Sequence, residues 1–91
     1  MADPHAAALE RLIDLATQHG FSFSPAGERG SLRGERVSPR WRDVVFLGAS
    51  GHANAARAST GPPVPGEPLL AESVTGTALT VMNTVLDTWP T

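Results

Sequence analysis

Three groups of residues have side chains suited to chemistry or recognition. The first is the stretch 27–43, GERGSLRGERVSPRWRD. It carries Arg29, Arg33, Arg36, Arg40 and Arg42, five of the seven arginines in a chain without lysine, beside Trp41. Guanidinium forks match phosphate oxygens and an indole can stack on a base, so nucleic acid is the partner this composition suggests. Glu28, Glu35 and Asp43 lie among the arginines, and five cations against three acids leave only +2. The remaining two arginines face six acids, which makes the whole chain −2. That is a small basic patch on an acidic body. A strand over 40–49 would place Arg40 and Arg42 on one face and Trp41 on the other, as a core residue. A solvated loop running into that strand competes with the nucleic-acid reading.

The second group is GASGH, residues 48–52. Ser50 sits as in the G-x-S-x-G nucleophile elbow, but His52 replaces the last glycine. That elbow also needs a large parallel sheet, which 91 residues do not supply. Read as a phosphate loop, VVFLGASGHANAA has Asn54 at the third glycine position. The acid at the ribose-binding distance is Glu72, beyond a proline-rich break. A hairpin turn explains Gly48 and Gly51 with fewer assumptions, and small-ligand or anion binding at 48–54 is the third-ranked expectation. Ser50, His52 and Asp43 have no spacing that brings them together. His5, His19 and His52 lack metal-ligand spacing, and the chain has no cysteine. We therefore expect no metal, no cofactor and no catalysis.

The elements that would position these groups begin with a helix. Asp3 suits its N-cap, Pro4 its first position and Gly20 its end. Ala8, Leu9, Leu12, Ile13, Leu15 and Ala16 recur on one side at helical period. The period then changes to two. FSFS (21–24) alternates, ERVSP is a weak strand, and RWRDVVFLGA (40–49) is the strongest strand candidate. HANAARAS (52–59) suits either a returning strand or a helix. TGPPVPGEP (60–68) has four prolines and two glycines, which predicts an extended crossover rather than a polyproline ligand.

The third group is the C-terminal segment, about 71–89, which the periodicity predicts to be one helix. Val74, Ala78, Val81, Val85 and Trp89 form its stripe, widened by Leu79, Met82 and Leu86, with Ser73 or Thr75 as the cap. Its polar side stacks Thr77, Thr80, Thr84 and Thr88, residues of poor helix propensity where Glu, Lys or Arg would be usual. So wide an apolar arc suggests an interface through Val81, Met82, Thr84, Val85, Thr88 and Trp89.

The expected fold is α+β: one domain, 1–91, with a helix at each end packed on three or four antiparallel strands, in the order α-β-β-β-α. That order resembles the double-stranded RNA-binding domain. In that family a lysine cluster opens the second helix; here the segment is LLAESVTGTAL, with Glu72 and no cation, which argues against RNA binding by that route. Thirteen of the apolar residues are alanines, so the core is modest and association is a plausible source of added stability. The N-terminus lacks a basic, then apolar, leader, and no stretch is apolar enough to span a bilayer, so the expected location is cytoplasmic. The arginine-only, Ala-, Gly- and Pro-rich composition fits a GC-rich, actinobacterial-like genome. The leading expectation for function is a non-catalytic interaction or regulatory domain, acting as a homodimer or through a protein partner. Nucleic-acid binding by Arg29, Arg33, Arg36, Arg40 and Arg42 is the alternative.

Overall fold

The computed structural model describes residues 4–27, 30–61, 65–66 and 71–89. Helix α1 spans Pro4–Gln18, and five strands follow: β1 Ser22–Pro25, β2 Leu32–Val37, β3 Trp41–Leu47, β4 His52–Ser59 and β5 Glu72–Thr77. Helix α2, Ala78–Thr88, closes the order. The strands form one antiparallel sheet in chain order, β1 to β5. The α+β class holds, with five strands where three or four were expected. Among the described residues no helix is long and apolar enough to cross a membrane.

Composition understated one of the five strands and hid another. LRGERV makes a full strand because Gly34 is no breaker here. The ring of Phe23 lies against it from β1, so close that a Cβ on Gly34 would stand 2.5 Å from Phe23 Cε1. ESVTGT was assigned to the final helix because Val74 precedes Ala78 by four residues. It is β5, paired along β4 with Val74 opposite Ala55. Its β-branched residues suit a strand, and Thr77, not Ser73 or Thr75, caps α2 by accepting from the Thr80 N–H. HANAARAS is strand β4. Its link to β5 joins antiparallel neighbours, so it is a hairpin connection rather than a crossover; residues 62–64 and 67–70 lie outside the described residues, as does Asp3.

Both helices pack on the same side of the sheet. Ala53 and Ala55 give α2 room to approach β4, and Val81, Met82 and Val85 meet Val45 and Leu47 in the core. Ala16 and Phe21 join this core, and Leu9, Leu12 and Ile13 border it. Gly20, at φ 98°, ends α1 and turns the chain into β1.

Candidate functional site

Strand parity decides where each arginine goes. In β2, Arg36 points to the helix side and Arg33 to the open side; in β3, Asp43 points to the helix side and Arg42 to the open side. Arg36 stands across from Asp43, and Asp43 across from Arg57 of β4, so three charged side chains meet in one row under the helices. Asp43 is fully buried, and Arg36 and Arg57 are nearly so. Asp43 Oδ2 accepts from Arg36 Nη2 at 2.7 Å and from Arg57 Nη2 at 2.9 Å, while Oδ1 accepts from Arg57 Nε at 2.7 Å.

Two guanidinium groups against one carboxylate leave a buried +1. Aromatic faces help to offset it. Arg36 lies 4.6 Å from the centre of the Phe21 ring, and Arg57 lies 5.0 Å from Trp41 and 5.5 Å from Trp89. Arg36 also donates to the Trp89 carbonyl at 2.8 Å. No buried side-chain nitrogen or oxygen among the described residues lacks a partner. Burial pushes the Asp43 carboxyl up, but the hydrogen bonds and charges of Arg57 and Arg36 outweigh it and hold the group below its ordinary value. These bonds commit both Asp43 oxygens to tying β2, β3 and β4 together beneath the helices.

The open face is different. Among the described residues no helix covers it, and three of its strands carry rows of small side chains: Ser22 and Ser24 on β1, Asn54, Ala56 and Ala58 on β4, Ser73 and Thr75 on β5. Val44 and Phe46 stand at the centre, and Val37, 65% exposed, lies at one end. Glu35 accepts from Arg42 at 3.1 Å and meets Arg33 at 3.0 Å. The bond from Arg42, with help from Arg33, holds the Glu35 carboxyl below its usual value. A shallow groove of about 430 Å³ runs beside this trio along β1, lined by Ser22, Ser24, Arg33, Glu35 and Val37.

The expected arginine surface is thus divided. Arg36 is in the core, Arg33 and Arg42 flank Glu35 on the open face, and Arg40 is exposed with its guanidinium 5.4 Å from the Trp41 ring. Arg29 lies outside the described residues. Trp41 is half-buried on the helix side, as its parity predicted. Arg57, which no sequence motif singled out, completes the cluster. Its only signal was an arginine at an inward position of an alternating alanine strand.

The α2 surface is divided too. Val81, Met82, Val85 and Trp89 are buried within the single chain, so the apolar arc does not require a second subunit to cover it. Thr84 and Thr88 remain outside, half-buried and exposed.

Gly48–Gly51 is a tight hairpin turn: the Gly51 N–H donates to the Gly48 carbonyl at 3.0 Å, and Gly51 has φ 89°. Ser50 and Gly51 border a cleft of about 460 Å³ with Ala6, Leu9, Ala78 and Leu79. His52 points to the open face, while Asp43 is buried on the other, so Ser50, His52 and Asp43 form no constellation. Among the described residues no cluster of three His, Asp or Glu side chains could hold a metal. No family model, curated protein or solved structure matches this chain.

Proposed function

We propose that the chain is a small non-catalytic interaction domain that presents the open face of its sheet to a protein partner. The observation that carries this reading is the one-sidedness of the sheet: α1 and α2 lie on one face, and among the described residues no helix lies on the other, which has Val44 and Phe46 at its centre. Small flanking side chains let a partner reach the two larger ones, and a central apolar anchor with a polar rim is the usual anatomy of a protein interface. Val37, Arg33, Glu35 and Arg42 form part of that rim.

The test is capture of partners from the native host with the wild-type chain and with Val44→Glu and Phe46→Arg. Both substitutions alter an uncovered face and should leave the helical signal and unfolding midpoint close to wild type. The expected result is a partner retained by the wild-type chain and lost by both variants. A partner held equally by all three would contradict the reading.

Single-stranded nucleic acid is the second reading, favoured by the position of Arg33 directly across from Phe46. An aromatic ring beside a guanidinium can stack a base and hold its phosphate. Glu35 opposes this by pairing with Arg33 and Arg42. Glu35→Gln should then tighten binding to an oligonucleotide at low salt. Wild-type affinity should fall roughly tenfold or more between 50 and 200 mM salt, as expected for about three phosphate contacts. Absence of binding by Glu35→Gln at low salt excludes it.

A further inference from the structure

The two edges of the sheet are unequal. β1 is four residues long and ends in Pro25, which has no N–H to offer a further strand. β5 has six residues, no proline and no cation, and its only charge is Glu72 at the start. Sheet edges are normally guarded by shortness, proline or charge; β1 has the first two, and β5 has only the single carboxylate.

Above this edge lies the threonine flank of α2. Thr80 stands over Gly76 of β5, its Cγ2 3.9 Å from where a Cβ would be. The hydroxyls of this flank are turned back on the chain. Thr77 donates to Thr80 Oγ1 at 3.0 Å, Thr84 to the Thr80 carbonyl at 2.9 Å, and Thr88 to the Thr84 carbonyl at 2.6 Å. The result is an uncharged threonine stripe beside a strand whose only charge is one carboxylate. Each is an independent feature of one contiguous side of the molecule.

We infer that this side binds a second copy of the chain, with β5 pairing antiparallel to β5 of its partner and the two α2 helices meeting along their threonines. Three properties fit that occupant. Pairing about a twofold axis through Val74 sets Glu72 opposite Gly76 and Ser73 opposite Thr75, each pair on one face of the sheet, so the edge's one carboxylate does not meet itself. Helix α2 packs on β4 and β5 alike, which places it over the line between them. With strands about 4.8 Å apart, two such helices come to rest about 10 Å apart, the upper end of ordinary helix packing. Finally, an interface about 20 Å long and two layers deep buries near the roughly 1,000 Å² required of a specific contact. The association is therefore expected to be micromolar and reversible.

This inference rests on the reading of the chain as an interaction domain but uses a different surface, so the two can fail separately. Thr84 is one helical turn, about 6 Å, beyond Thr80, which brings it above Val74 and close to the twofold axis. The chain has no cysteine, so Thr84→Cys is a clean reporter. Sedimentation velocity from 1 to 100 µM should show a concentration-dependent dimer for the wild-type chain and for the open-face variant Phe46→Arg. Thr84→Arg should stay monomeric throughout while keeping the wild-type circular dichroism. Thr84→Cys should oxidise to a disulfide-linked dimer, and Glu10→Cys, on the exposed side of α1, should not. A wild-type monomer at 100 µM overturns the inference, as does a Thr84→Arg dimer or equal cross-linking by the two cysteine variants. Loss of the dimer in Phe46→Arg would instead move self-association to the open face and overturn it equally.

Discussion

Arg36 holds Trp89 from 53 residues away: one guanidinium nitrogen, 2.8 Å from the Trp89 carbonyl and 2.7 Å from Asp43, fastens the end of α2 to the second strand of the sheet. The most basic segment of the sequence is thus partly committed to the core. Arg36 serves the fold, and only Arg33, Arg40 and Arg42 among the described members of the segment reach a surface. The end of α2 follows from the sequence, since Pro90 has no N–H with which to continue the helix beyond Trp89.

Removing the carboxylate should be far worse than removing the whole cluster. Asp43→Asn leaves two guanidinium groups buried without a counter-charge, and we expect a loss of about 3–5 kcal/mol in urea unfolding. The triple replacement Arg36→Met, Asp43→Leu, Arg57→Met should fall within about 1–2 kcal/mol of wild type, because apolar side chains of similar volume need no charge pairing. A single Asp43→Asn change that leaves the urea midpoint in place would refute the description of this cluster.

Acid should weaken the fold through the same group. The folded Asp43 carboxyl lies below its ordinary value, so the unfolded chain takes up the proton first as pH falls. Its stabilisation is fully present above the unfolded aspartate value of about 3.9 and is lost as pH drops through the lower folded value. Glu35 acts in the same direction. The unfolding midpoint should hold between pH 7 and 5 and decline below about pH 4, less steeply in the triple replacement. A midpoint that rises on acidification to pH 3 would have the wrong sign.

Gly34 is needed for the space it leaves. Its φ is ordinary, but a methyl group there would overlap the Phe23 ring. Gly34→Ala should destabilise by about 1–3 kcal/mol through displacement of β1. Combining it with Phe23→Ala should cost less than the sum of the two changes, because the clash then has no partner. Strict additivity would show that the contact is not the cause.

Periodicity served best where packing is regular. The α1 stripe and the β3 alternation could be read because each buries one apolar face against the other. The exceptions share a cause: tertiary contacts reversed what a residue type normally signals. Gly34 makes room for a ring instead of breaking a strand, and Arg36 and Arg57 occupy inward positions because Asp43 arrives between them by register. Val74 mimics a helical position because a strand leading directly into a helix can keep the spacing of four by chance. Thr84 and Thr88 lie on the outer side of α2, half-buried and exposed. Their neighbours Val81, Met82, Val85 and Trp89 proved to be core because the alanines of β4 let α2 approach closely. The open face had no motif to announce it, since it arises only when five strands are aligned and both helices pack on the same side.

The most direct test of the open face as the working surface is hydroxyl-radical footprinting of the isolated chain and of the same chain in the complex captured from its host. Protection concentrated at Phe46, Val44 and Val37, with α1 unchanged, is the predicted result. Protection confined to α1 or to the 48–51 hairpin, with Phe46 as reactive in the complex as alone, would contradict it.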